Sequence, residues 1–104
     1  MATEIRLTDN GFQLKDGWWN RQTVSWPEIK AVSAVNLHKV TYDEVFLTFR
    51  LKGGRTVSIG ELDTNFRALE HALFAHLDGF DADWYTAAEE QDGRTVDVWH
   101  RPAA

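Results

Sequence analysis

Four histidines, His38, His71, His76 and His100, are the residues best suited to ligate a metal or move protons in this chain. A zinc pair on a helix needs imidazoles stacked on one face, and His71 and His76, five apart, do not stack. His38 and His100 would meet only if the strands carrying them pair. Asp81 and Asp83 form a D-x-D, yet the glycine and distal glutamate of a calcium loop do not follow. Helix capping explains them better. Glu89-Glu90 reads as a solvated helix end. Ser25, Ser33 and Ser58 fall on strands without the nucleophile-elbow pattern. No HExxH, P-loop or GxGxxG occurs. The 104 residues contain no cysteine, which excludes thiolate nucleophiles, disulfides and cysteine-held zinc. The residues point to no catalytic group, no metal and no cofactor; the chain reads as a non-enzyme.

What the sequence offers instead is contact chemistry. The stretch KDGWWNRQ sets Trp18 and Trp19 side by side where the chain is ready to turn. Each indole can bury about 200 Å², up to about 5 kcal/mol at roughly 25 cal/mol per Å². A small domain has a total stability of about 5–15 kcal/mol, so leaving both in water forgoes a comparable term. At least one is expected to fold back or be covered by a partner. Adjacent residues in a tight loop seldom point the same way, so one tucked and one exposed indole is the expectation. An exposed aromatic at a rigid tip is a good contact residue. Lys15 and Arg21 flank this pair and join it as candidate partner-binding residues. A second basic group, Arg50, Lys52 and Arg55, flanks a later hairpin, with Arg67 nearby if a helix packs back. It reads as a solvated edge that discourages sheet-to-sheet pairing, or as a candidate anion-binding site.

Composition narrows the partners. Apolar residues make up 43% and charged residues 26%, which is ordinary globular usage. The net charge of −5 disfavours nucleic acid, whose phosphates demand Lys and Arg, and disfavours a broadly anionic membrane surface. The opening MATEIRLTDNGF has no apolar stretch of signal-peptide type. Lack of cysteine fits a reducing cytoplasm.

The elements that must position these groups follow from periodicity. Ile5 and Leu7, then Phe12 and Leu14, alternate with polar residues about a turn at DNG, 9–11. Val24 and Trp26 are spaced by two. Pairing Leu14 with Val24 and Phe12 with Trp26 puts all four on one face and leaves Trp18-Trp19-Asn20 as a three-residue hairpin loop, with Asn20 left-handed. A fourth strand spans about 29–39, with Val35 and Leu37 on its apolar face. In 44–51, Val45, Leu47, Phe49 and Leu51 point one way. A Lys52–Gly54 loop then sets Phe49 against Val57 and Leu47 against Ile59, with Gly54 left-handed. The period changes at Asp63 or Thr64, a helix cap, and Phe66, Leu69, Leu73 and Leu77 form a helical stripe that Gly79 ends. A short helix over 81–90, capped by Asp81, precedes a last strand with Val96 and Val98 on one face. Strands followed by a helix indicate an α+β fold in one domain, 1–104: a bent antiparallel sheet or partly open barrel of about six to seven strands, covered by one main helix near the C-terminus.

IRLTDNGFQL, followed by TVSWPEIKAV, resembles bacterial pleckstrin-homology-like domains, as do FLTFRLKGGRTVSIGELDTNFRALEHAL, DADWY and TVDVWHR, over nearly the whole chain. The resemblance implies a strongly bent, partly closed barrel plugged by a helix, and no catalytic residue. That family places its helix last, whereas this chain adds a strand after it. The expected function is a noncatalytic cytoplasmic interaction module that binds a protein partner or itself, as a homodimer, through the Trp18-Trp19 hairpin. The alternatives are lipid headgroup binding at a membrane surface through Trp18, Trp19, Lys15 and Arg21, and an immunity-type toxin inhibitor.

Overall fold

Alternating apolar residues make strands up to residue 60, and the helical stripe takes over beyond it. The computed structural model describes residues 3–17, 20–38, 41–91 and 93–102. The elements are β1 (Glu4–Thr8), β2 (Gly11–Asp16), β3 (Asn20–Ser25), β4 (Ile29–His38), β5 (Asp43–Leu51), β6 (Thr56–Gly60), α1 (Phe66–His76), α2 (Trp84–Glu90) and β7 (Val96–His100). They form two antiparallel sheets, ordered β1-β2-β3 and β6-β5-β4-β7, that are not closed into one barrel. The fold is α+β, with the main helix α1 near the C-terminal end of the chain.

Both inner sheet faces and the helical stripe share one core. Ile5, Phe12 and Val24 of the first sheet are fully buried together with Val32, Leu47, Phe49 and Ile59 of the second. Leu69 and Leu73 of α1, and Trp84 at the start of α2, complete it. Such side chains contribute about 1.5–3 kcal/mol each when removed from water.

The β5–β6 register is as the sequence predicts: Phe49 opposes Val57 and Leu47 opposes Ile59. Gly54 is left-handed there (φ 86°), and so is Gly53 (φ 84°). The β2–β3 ladder differs. Phe12 opposes Val24, Leu14 opposes Gln22 and Asp16 opposes Asn20, a slide of two residues from the expected pairing. A slide of two preserves the face, so Leu14 and Val24 still project inward. The ladder now runs to Asp16 and Asn20, and Gly17 (φ 78°), not Asn20, is left-handed. Trp26 leaves the ladder for a short 3₁₀ turn, Trp26–Glu28.

On β4 the buried face carries Val32, Ala34 and Asn36, whereas Leu37 is exposed and Val35 only partly covered. An irregularity between Ile29 and Ala31 inverts the alternation read from sequence. A second one, opposite Val32 and Ser33, turns both Val98 and Trp99 of β7 inward while Val96 is partly covered. The residue at the start of α1 is a left-handed Asn65 (φ 71°), not Asp63 or Thr64. Its side-chain amide donates to the Ile5 carbonyl (3.0 Å), tying the helix to β1. The short helix begins at Trp84, later than expected, with Asp83 at its cap position. The Asp81 carboxylate instead accepts the Asp83 amide (2.9 Å) in the preceding turn. Gly79 is left-handed (φ 85°) in the turn that follows α1.

Candidate functional site

Trp18 and Trp19 lie outside the described residues. The hairpin that carries them is described up to Gly17 and again from Asn20. Its register puts Lys15 directly opposite Arg21, and Lys15 also opposes Glu4 of β1. These three form one row on the outer face; Arg6, Gln13 and Thr23 form the next. No apolar side chain stands in either row. Arg6 is engaged by Glu4 (3.0 Å), so the excess positive charge falls on Lys15 and Arg21. Like charges directly across a ladder repel, and an anionic group placed between them relieves that repulsion.

The inner face of the same hairpin ends in Asp16, Asn20 and Gln22. With Thr3, Leu14 and the β6 residues Thr56, Val57 and Ser58 they line a polar cleft of about 250 Å³ between the two sheets. One end of this seam is held shut. The Arg55 guanidinium donates to the Thr23 carbonyl (3.0 Å) and to Glu28 (3.2 Å), and Glu28 accepts the Ser25 amide (3.1 Å).

Arg55 is therefore engaged at the seam. Arg50 instead lines a shallow basin of about 270 Å³ on the outer face of the four-stranded sheet, with Ala31, Ser33, Thr48, Thr56, Asp97 and His100. The basin exists because β4 presents small side chains there. Register gives the rows Thr56–Arg50–Ala31–His100 and Ser58–Thr48–Ser33–Asp97, so Ala31 and Ser33 form a floor between longer neighbours. Asp97 offsets Arg50, which weakens the basin as an anion site. Lys52 is exposed on the adjoining turn, and Arg67 is engaged by Glu70 (3.1 Å).

The histidines do not gather. His100 lies opposite Ala31, not His38, whose ring contacts Asp43 (2.7 Å). His76 stacks on Trp26 (centroids 4.6 Å apart, planes at 11°). Among the described residues no three histidine, aspartate or glutamate side chains come together in a group able to hold a metal ion.

One polar pair escaped sequence reading. The Tyr85 hydroxyl donates to Glu61 Oε2 (2.9 Å), while Glu61 Oε1 accepts the Val45 amide (2.9 Å). Partial burial first, and the adjacent carboxylate second, push the Tyr85 phenol up to about 12. The pair fastens α2 to the second sheet. Its partners lie 24 positions apart in sequence, and no local pattern announces it.

Comparison of the chain with protein-family models, with curated proteins and with solved structures finds no match.

Proposed function

We propose that this chain is a noncatalytic interaction module that binds a protein partner, or a second copy of itself, through the β2–β3 hairpin. The observation that carries the reading is the register of that hairpin. It brings Lys15 and Arg21 face to face one pair before the end of the ladder at Asp16 and Asn20, and the sequence between those two carries Trp18 and Trp19. A two-stranded stem with cations near its end and two indoles in the sequence that joins its strands is suited to contact. The pleckstrin-homology-like assignment belongs to the same proposal. Its support is the sequence likeness, and β7 beside β4 is the departure from the helix-last order.

The double variant Trp18→Ala, Trp19→Ala keeps its cooperative thermal unfolding and binds its partner or its own copy roughly thirtyfold more weakly, the effect of losing an aromatic anchor. Sedimentation velocity on both proteins measures it. Identical association by the two would remove the hairpin from the reading.

A second reading, binding to an anionic lipid surface, draws on the same opposed cations, with indoles suited to the interface. Flotation with phosphatidylserine vesicles tests it: salt-sensitive binding that Lys15→Glu abolishes supports a lipid target, and absence of flotation at low salt ends it.

A further inference from the structure

In an antiparallel ladder, alternate residues turn their main-chain groups toward the partner strand and the rest turn them away. The amide of Leu51 bonds the Arg55 carbonyl, and that of Glu61 bonds the Val45 carbonyl. Thr56, Ser58 and Gly60 of β6 therefore direct their amides and carbonyls away from β5. Likewise the amide of Trp26 bonds the Asn10 carbonyl, so Arg21, Thr23 and Ser25 of β3 face away from β2.

Some of these outward groups have partners. Gly60 donates to Asp63 (2.9 Å), Ser25 to Glu28, and the Thr23 carbonyl accepts from Arg55. The main-chain groups of Thr56 and Ser58 and those of Arg21, with the Thr23 amide, have none among the described residues. Of these, Thr56 and Ser58 line the polar cleft between the sheets, together with Asn20 and Gln22 of β3. An edge with donors and acceptors at alternate residues complements one kind of ligand, a polypeptide in extended form. A small molecule cannot match that repeat, and a helix satisfies its own amides.

We propose that the seam between β3 and β6 receives an extended segment of a partner polypeptide as an added strand, hydrogen-bonded chiefly to Thr56 and Ser58. This rests on the reading of the chain as a protein-binding module, and gives the partner's conformation and the residues that hold it. The guest's inward side chains meet Asp16, Asn20 and Gln22, so it carries a polar residue there. Its outward side chains extend the rows led by Thr56 and Ser58.

The test uses the full chain and a display library of random heptapeptides, with the most enriched peptide then synthesised. Amide exchange followed by NMR should show Thr56 and Ser58 slowed by the peptide. Ser58→Pro deletes an outward amide at an edge position where proline is tolerated, and should weaken binding about tenfold, as loss of a main-chain hydrogen bond does. Ser58→Ala, which keeps the amide, should bind as the unsubstituted chain does. If Ser58→Pro does not fold, exchange in the unsubstituted chain decides. No enriched peptide, protection elsewhere, or equal binding by a folded Ser58→Pro overturns the proposal. A dimer that Ser58→Pro dissolves would put a second copy in the seam and overturn it too. Peptide binding lost in the double tryptophan variant but kept in Ser58→Pro would leave the hairpin reading standing without the seam. The opposite pattern would leave the seam without the hairpin.

Discussion

At the scale of single residues, the Tyr85–Glu61 pair makes a pH-dependent contribution whose sign is fixed. The folded phenol titrates near 12, above the ordinary value of 10.0, so the folded state holds its proton longer than the unfolded chain does. The stabilisation is complete below pH 10 and is lost as pH rises through the folded value. Tyr85→Phe should cost on the order of 1 kcal/mol at neutral pH, a typical net hydrogen-bond contribution. It should also flatten the fall of the urea midpoint at alkaline pH, measured in parallel with the unsubstituted protein. A variant whose midpoint falls as steeply would show that Glu61 does not hold the phenol. Little at this scale was legible beforehand. Period-two and helical patterns marked Phe12, Leu47, Leu69 and Leu73 as core, and all are buried. They carry no information about which polar atoms meet, because Arg55 reaches Thr23 across 32 positions and Arg101 reaches Trp26 across 75. That is why the engagement of Arg55 by Thr23 and Glu28 had no signal in the sequence.

At the scale of elements, alternation decides which way a strand faces but not how far it slides. A displacement of two residues keeps every apolar side chain inside. The KGG turn admitted one register that gathers the apolar residues, and that register forms. The KDGWWN turn admitted two, and the choice fell to Gly17, the residue that adopts a left-handed backbone at no steric cost. The β4 irregularity had no signal in sequence, so the inward face of that strand was misread. Two glycines test these packings differently. A Cβ on Gly11 would overlap the Val24 carbonyl oxygen, part of the neighbouring backbone. A Cβ on Gly60 would strike the carboxylate of Glu44 and the ring of Phe46, which are side chains rather than backbone. Gly11→Ala should therefore cost about 3 kcal/mol or more and Gly60→Ala about 1–2 kcal/mol, within the range for strained and overpacked sites. Chemical denaturation of the two variants checks the order; a Gly60 variant less stable than the Gly11 variant would refute it.

At the scale of the whole molecule, the two sheets are stitched rather than fused. The amide of Ile5 donates to the Thr64 carbonyl (3.1 Å) and that of Thr64 to the Thr3 carbonyl (3.0 Å), which joins β1 to the segment after β6. Arg101 donates to the Ile29 and Trp26 carbonyls (both 2.9 Å) and lies over the Trp99 ring (5.1 Å), fixing the corner between β3 and β4. Arg101→Ala frees two carbonyls and a ring face at once, and should lower stability by about 2–3 kcal/mol, more than an exposed ion pair contributes. Thermal unfolding measures this, and a loss under 0.5 kcal/mol, the ordinary surface value, would show the corner stands without it. The overall plan of strands, helix and returning strand was readable because each change of period is local. The open arrangement of the sheets agrees with the partly open barrel expected from sequence, but the split into sheets of three and four strands was not readable, since it depends on edges distant in sequence. The way those edges are finished also bears on what assemblies the protein can build. Asp63, Glu28 with Arg55, Thr64 and the Asp81 amide on the Val98 carbonyl act as stoppers along the rims. Filament growth by strand addition needs two open rims per subunit, so that each newcomer offers a fresh docking place. A rim closed along part of its length by such stoppers offers a newcomer only a short docking place, which limits growth of that kind.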